Sequence, residues 1–271
     1  MSATTRNYVE VAPGVELHVE ETGYGRPLVF VPGWTMTTEV FARQVPHFAD
    51  RHRVVVFDPR GQGRSTRTLE GNSYPQHGAD LARLVDALGL ADAVFVPWSY
   101  GCLEVWQMIR DRGTDRMAGA IFVDEAPKPY QPDPDIWGEG GGEYIVDFQR
   151  ALTDRHREAT RAFCAGMWQG APPAGELDWV ADQSMLAPLY VALLLAADGV
   201  TRDFTAEAES IDGKLPVMHI VCETNGDVAR RWLETHSPAA RCEVLGEHFM
   251  FWEFAERFNA LVDDFLHDND L

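Results

Sequence analysis

The sequence predicts an α/β protein with a mostly parallel central sheet flanked by helices. Short apolar runs recur along the chain, and helical patterns such as 76–88 and 100–110 lie between them. Parallel strands are covered by helices on both faces, so they form continuous apolar runs rather than alternating ones. Segment 8–20 differs because it alternates and contains Pro13-Gly14, which indicates an N-terminal β-hairpin.

The predicted sheet strands end at turn-forming or polar residues. Leu28 to Val31 ends at Pro32-Gly33, and Ala120 to Val123 leads directly to Asp124. Short apolar runs that end in this way are typical of buried strands. The predicted strands are 28–31, 53–57, 93–96, 120–123, 217–221 and 241–245, and an amphipathic helix is predicted at 252–266.

The alternation of strands and helices is interrupted between about residues 127 and 215. This stretch contains Gly138 to Gly142, several prolines and helical segments rich in aromatic residues. We therefore predict a single domain over residues 1–271 with a helical cap inserted at 128–215.

The charge and the cysteines exclude several classes of partner. The chain of 271 residues has 23 Lys and Arg against 42 Asp and Glu, a formal net charge of −19, which argues against nucleic acid or an anionic membrane as a partner. Cys102, Cys164, Cys222 and Cys242 form no C-x-x-C pair, so we expect no metal and no disulfide framework.

The N-terminus and the apolar runs bear on location. Met1 to Arg6 lacks the apolar core of a secretory signal, and no apolar run approaches the roughly 18 residues of a membrane span. We expect a cytoplasmic monomer or homodimer.

Ser99 lies in the strongest local motif, Val96-Pro97-Trp98-Ser99-Tyr100-Gly101. A predicted strand enters this motif and a predicted helix leaves it, which is the setting of a nucleophile elbow. Small residues are needed there because the strand and helix backbones crowd together, and Gly101 meets that need. Pro97 stands where the G-x-S-x-G pattern has its first glycine. A serine that caps a helix is the simpler interpretation of the motif alone.

His248 strengthens the interpretation of Ser99. It follows the last predicted strand in Leu245-Gly246-Glu247-His248-Phe249, and Asp58 to Ser65 reads D-x-R-G-x-G-x-S. Together these motifs resemble the α/β-hydrolase family over nearly the whole chain. The resemblance implies that Ser99 is the nucleophile and His248 the base.

The acid that orients His248 has several candidates. In many members of that family it follows the strand 217–221, where this chain has the neutral Asn225. Asp124 is preferred, because the carboxyl ends of parallel strands meet at the active-site edge of the sheet. Glu125, Glu223 and Asp227 remain alternatives.

Backbone N–H groups are predicted to stabilise negative charge on a substrate oxygen. One is that of Tyr100, directly after Ser99, and the other is that of Trp34, after the strand 28–31. We expect an apolar substrate pocket, since pockets in general are mostly apolar. Its predicted lining residues are Trp34, Met36, Trp98, Tyr100, Trp137 and Trp168.

The sequence also resembles a smaller group, the cofactor-independent 2,4-dioxygenases of 3-hydroxy-4-quinolones. The resemblance rests on Val31-Pro32-Gly33-Trp34, on Pro97-x-Ser99-x-Gly101 and on Asp124, which is followed by Ala126-Pro127-Lys128-Pro129. It implies that His248 deprotonates a substrate hydroxyl and that Ser99 binds substrate, with release of carbon monoxide. Met36, Trp98 and Tyr100 stand where that group has histidines.

The sequence therefore favours a serine hydrolase that cleaves an ester, lactone or thioester of an apolar small molecule without a cofactor. Ser99, His248 and Asp124 would form its triad. The alternative is the cofactor-independent dioxygenase. A third possibility is a binding protein that keeps the fold without turnover, against which the intact Ser, His and acid argue.

Overall fold

The computed structural model describes residues 4–173 and 175–271, and over these residues eight strands form one sheet. The apolar runs predicted from the sequence are its strands. Their bounds are β1 Thr5–Ala12, β2 Val15–Thr22, β3 Pro27–Val31, β4 Arg53–Phe57, β5 Ala93–Pro97, β6 Met117–Val123, β7 Val217–Val221 and β8 Arg241–Val244.

The strands lie in the order β1-β2-β4-β3-β5-β6-β7-β8. The hairpin of β1 and β2 is antiparallel, as predicted, and β2 is antiparallel to β4, whereas β3 to β8 are all parallel. In the centre Val29 pairs with Val55 on one side and Phe95 on the other. Strand β4 lies on one side of β3 and β5 lies on the other, so the strand order changes direction here and β3 and β5 end side by side.

The helices complete the fold. Their bounds are α1 Val45–Phe48, α2 Tyr74–Ala87, α3 Gly101–Arg112, α4 Gly142–Asp154, α5 His156–Ala165, α6 Glu176–Ser184, α7 Leu189–Gly199, α8 Thr205–Ile211, α9 Gly226–His236, α10 Met250–Glu253 and α11 Ala255–Asp268, with a 3₁₀ turn at Thr38–Phe41.

The sheet is buried on both faces because successive side chains of each strand point to opposite sides. Val29 and Phe95 pack with residues of α2 and α3 on one face. Leu28 and Val94 pack with residues of α11 on the other. This two-sided burial explains the unbroken apolar runs, and it confirms the predicted fold class.

Helices α4 to α8 occupy the segment predicted as the cap. Helices α4 and α7 pack together, as do α5 and α6. Helix α8 instead contacts α3, and Phe204, just before it, stacks on Trp106 of α3 with ring centroids 6.1 Å apart. The end of segment 128–215 is therefore in the helical layer of the sheet.

The closing helix differs from its prediction. Residues 252–266 were expected to be continuous, but Phe254 has φ −115° and ψ 45°, which ends α10 before α11 begins. The Phe254 ring packs against Gly246, where a Cβ would come within 2.5 Å of it. At the break, the Phe254 ring therefore lies beside the loop that precedes His248.

No single helix of the described residues is long and apolar enough to cross a membrane. The pair α6 and α7 reaches that length and composition only jointly, and it is bent by 86°.

Candidate active site

Ser99 stands at the turn between β5 and α3 with φ +53°, in the left-handed region that a residue with a side chain seldom adopts. Its backbone N–H donates to Val123 O at 2.9 Å, which ties the turn to β6. A Cβ at Gly101 would lie 2.6 Å from the carbonyl oxygens of Val31 and Pro32. The glycine of the motif is therefore required by the close approach of β3.

Asp124 follows β6 and also has a positive φ, +49°. Its Oδ2 atom lies 2.6 Å from Nδ1 of His248, and its Oδ1 atom accepts the backbone N–H of Cys222 at 2.8 Å. Because a carboxylate only accepts, Nδ1 of His248 carries the proton and the other ring nitrogen, Nε2, is left free to accept one. Burial disfavours the charged carboxylate, yet the hydrogen bonds from His248 and Cys222 hold the pKa of Asp124 below its usual value.

Two of the alternative acids, Glu223 and Asp227, make no hydrogen bond to His248 among the described residues. Glu223 is exposed and accepts from Gln169 Nε2 at 2.9 Å, and Asp227 is exposed in the first turn of α9. Asn225 stands at the start of that helix and lines the cavity described below. Of the five candidates, the structure brings Asp124 to His248.

The loop of His248 is held from two sides. The indole Nε1 of Trp98 donates to the His248 carbonyl at 2.8 Å, and the two rings lie 5.2 Å apart. The backbone N–H of Phe249 donates to Met167 O at 2.8 Å. Ser99 and His248 line the same cavity, and among the described residues no hydrogen bond joins their side chains.

The two backbone donors predicted to stabilise a negative oxygen, the N–H groups of Trp34 and Tyr100, have no protein acceptor among the described residues. The loop after β3 approaches Ser99 closely, since a Cβ at Gly33 would lie 2.9 Å from Ser99 Cβ. These N–H groups could hold an oxygen that becomes negative during a reaction.

A cavity of about 510 Å³ opens over Ser99 and His248. Of the predicted lining residues, Trp34, Tyr100 and Trp137 are in its wall. The cap adds aromatic side chains: Phe148 and Phe163 pack edge-on against Trp34 with ring centroids 5.4 and 5.2 Å away. The Trp34 indole Nε1 donates to Ala192 O of α7 at 2.9 Å, which joins the sheet edge to the cap.

Three predicted lining residues are absent from that wall. Met36, Trp98 and Trp168 are buried in the apolar core on the α11 side of the sheet. Trp98 and Trp168 pack against Phe249 there, so they support the His248 loop from behind. A sequence pattern does not show which side of a turn such a side chain takes, and this is why the prediction differs from the structure.

The wall also contains residues that the sequence did not single out as pocket residues. Among them are Glu139, from the glycine-rich stretch, and Tyr144 at the start of α4. Glu125, considered above as an acid for His248, lines the same wall. The sequence feature that could have identified Glu139 is a single carboxylate between two glycines, Gly138 and Gly140. Of the described cavity-lining residues, none is Lys or Arg, whereas Asp124, Glu125, Glu139 and Glu247 are acidic.

Cys222 lines the cavity, but burial and then Asp124 raise the pKa of its thiol well above the usual value, which disfavours a reactive thiolate. Within the described residues, no three His, Cys, Asp or Glu side chains are grouped as a metal ion would require.

Comparisons with known proteins identify the family of this chain. Residues 26–153 match a family described as having the alpha/beta hydrolase fold. A non-heme haloperoxidase of Rhodococcus erythropolis is 33% identical over 220 residues, which cover 78% of this chain and 80% of that protein. The chain therefore belongs to the α/β-hydrolase family, and it is an enzyme of the hydrolase type.

Solved structures show the same fold. A bromoperoxidase from Bacillus anthracis superposes with a TM-score of 0.89 at 22% identity, covering 97% of this chain and 100% of that one. An esterase from Exiguobacterium antarcticum gives a TM-score of 0.89 at 18% identity, with the same coverage.

Proposed function

We propose that this protein is a serine hydrolase that cleaves an ester, lactone or thioester bond of a small apolar molecule. The observation that carries the proposal is the 2.6 Å contact between His248 Nδ1 and Asp124 Oδ2, in the wall of the cavity that also contains Ser99. It fixes the ring tautomer in which Nε2 can accept the proton of a serine hydroxyl.

In the proposed reaction Ser99 Oγ attacks the carbonyl carbon while His248 Nε2 takes its proton. The carbonyl oxygen becomes negative and is held by the backbone N–H groups of Trp34 and Tyr100. His248 then returns the proton to the leaving oxygen or sulfur, and water hydrolyses the acyl-enzyme by the same steps. Asp124 stabilises the imidazolium. The missing Ser99–His248 hydrogen bond is compatible with this reaction, because such bonds often form only when substrate binds.

The apolar substrate is supported by the aromatic side chains of the wall. Trp34, Phe148 and Phe163 form one continuous aromatic cluster over the cavity. Cavities of this kind bury most of a small ligand's surface and orient it through few polar groups. A structural neighbour named an esterase is in keeping with an ester substrate.

One observation favours a second function, the cofactor-independent dioxygenase. His248 pairs with the acid that follows β6, as the resemblance to the quinolone 2,4-dioxygenases implies, rather than with a residue that follows β7. That reaction passes through a substrate anion. A wall with carboxylates and without Lys or Arg among its described residues disfavours such an anion, and hydrolysis remains the preferred proposal.

A fluorophosphonate probe followed by peptide mass mapping tests the proposal directly. We expect covalent labelling of Ser99, loss of labelling in Ser99→Ala, and retention in Ser210→Ala, which removes an exposed hydroxyl on α8. The same preparation is assayed with aryl and alkyl esters, and with a 3-hydroxy-4-quinolone in an oxygen electrode. Oxygen uptake with carbon monoxide release and no ester turnover would establish the second function instead.

A further inference from the structure

Glu125 carries a buried carboxyl oxygen for which the proposed reaction has no use. The residue is 3% exposed and lines the cavity beside Asp124. Its Oε1 atom accepts the backbone N–H of Ala126 at 3.0 Å, but its Oε2 atom has no hydrogen-bond partner among the described residues. A buried oxygen without a donor is costly, and in native proteins it calls for a ligand, a proton or a water molecule.

Glu139 lies close to Glu125 in the wall of the same cavity. Its backbone N–H donates to Pro129 O at 2.8 Å, and its Oε2 atom accepts the Tyr100 hydroxyl at 2.7 Å. Tyr100 is itself fixed, because its ring lies 2.5 Å from the place of a Cβ at Gly199. Burial, and then the neighbouring Glu139, raise the pKa of Glu125 well above its usual value. Ionised carboxyl groups only accept, so this pair requires a proton or a cationic donor between them.

The surrounding wall favours a cation over a neutral or anionic group. The described lining residues include Asp124 and Glu247 besides this pair, and no Lys or Arg. Tyr100, Trp137 and Tyr144 supply aromatic rings, whose faces attract cations. Glu139 lines the same cavity, so a ligand that enters it can contact this residue.

We propose that Glu125, Glu139 and the Tyr100 hydroxyl form a subsite that binds a protonated amine of the substrate. The N–H groups of the ammonium would supply the donor that Glu125 Oε2 lacks, while Glu139 balances its charge. The preferred substrate is therefore an apolar ester with an amine a few atoms from the scissile carbonyl. This inference rests on the proposed hydrolase function for its substrate class.

Three esters of equal shape test the subsite. 2-(Dimethylamino)ethyl butanoate is cationic at neutral pH, 3-methylbutyl butanoate is its neutral isostere, and 3-(butanoyloxy)propanoate is anionic. We expect kcat/KM to favour the cationic ester over its isostere by roughly tenfold or more, as charge-assisted hydrogen bonds do. The anionic ester should be the poorest substrate. Rates are measured by pH-stat near 0.15 M salt, where long-range attraction to the net charge is screened.

Matched variants assign the preference to the subsite. In Glu139→Gln we expect the ratio of the two kcat/KM values, cationic over neutral, to fall towards one. Glu143→Gln removes an equal charge from an exposed position in the first turn of α4, outside the described cavity wall, and should keep the ratio of the wild type. Equal use of the two esters by the wild type, or an equal fall in both variants, would overturn the subsite.

A binding measurement separates this inference from the hydrolase proposal. Calorimetry with Ser99→Ala compares the cationic ester and its isostere without turnover. If no ester is cleaved by the wild type but the amine still binds more tightly and through Glu139, the subsite stands and the hydrolase proposal fails. If esters are cleaved and the amine gives no advantage in rate or binding, the hydrolase proposal stands and the subsite fails.

Discussion

The cavity has two walls that are built in different ways. At the sheet edge, Ser99 and Asp124 have left-handed backbones and are tied to neighbouring strands by N–H bonds to Val123 O and Ile220 O, of 2.9 and 2.8 Å. The cap wall is formed largely by half-buried aromatic rings such as Phe148 and Phe163. Sites built on hydrogen-bonded strand ends hold their atoms more precisely than loops do, whereas packed apolar rings tolerate repacking.

Because the two walls are built differently, they are suited to different functions. The sheet edge can hold reacting atoms in one geometry, which proton transfer requires. The cap can change its side chains without disturbing that geometry, so it is suited to select the substrate. We therefore expect substitutions at the sheet edge to affect turnover and folding strongly, and cap substitutions to have smaller effects.

The largest expected effect is that of Asp124→Asn. An amide can leave the imidazole in the wrong tautomer, and kcat for an ester should fall by about 10⁴-fold. Asp227→Asn, at an exposed position on α9, is the control and should leave kcat close to the wild type. Steady-state kinetics of the purified variants measure kcat. A greater loss of kcat in Asp227→Asn would show that the acid of His248 lies in the segment after β7.

Gly101→Ala should lower the stability of the fold. The added Cβ would meet two backbone oxygens at 2.6 Å, which cannot move as a flexible side chain can. We expect a loss of about 2 to 3 kcal/mol in the free energy of unfolding. Gly166→Ala in the cap, whose Cβ would have 3.4 Å to its nearest neighbour, should change it by less than about 1 kcal/mol. Urea unfolding measures both, and equal losses would contradict the contrast between the walls.

The hydrogen bond from Trp34 Nε1 to Ala192 O joins the two walls, and two Trp→Phe variants measure its contribution to stability. Trp34→Phe removes the indole N–H that reaches Ala192 O, whereas Trp168→Phe removes one that is buried without a partner among the described residues. The first should cost about 1 kcal/mol more than the second in thermal unfolding. If Trp168→Phe proves the more costly, the connection between the sheet edge and the cap contributes little.

The adjacent acids Asp124 and Glu125 should respond to pH with opposite signs. The lowered pKa of Asp124 contributes stability above its usual pKa, and this is lost as the pH falls through the folded-state value. The raised pKa of Glu125 makes stability fall as the pH rises above its usual pKa.

Glu125→Gln tests whether Glu125 makes the stability of the fold decrease as the pH rises. In urea unfolding, the variant should become more stable relative to the wild type as the pH rises above the usual pKa of a glutamate, because the amide has no charge to bury. Glu143→Gln serves as the exposed control. A gain that shrinks with rising pH would show that Glu125 is stabilised as a carboxylate.

Much of the fold was predictable, since burial on both faces of a parallel sheet leaves continuous apolar runs in the sequence. The turn at Ser99 was predictable for a related reason, because Gly101 marks a close approach of backbones. The break at Phe254 was not, because it lies in the backbone conformation of that residue and not in the spacing of apolar residues.

The sequence by itself determined the sheet, the order of Ser99, Asp124 and His248, and the loops that carry them, because strand ends and glycine turns are local features. Only the tertiary structure decided that His248 meets Asp124 rather than the other acids. It also decided that Trp98 and Trp168 support the loop of His248 instead of lining the cavity. Such choices depend on side-chain direction and on contacts between segments about 80 to 150 residues apart, and the spacing of apolar residues along a chain shows neither.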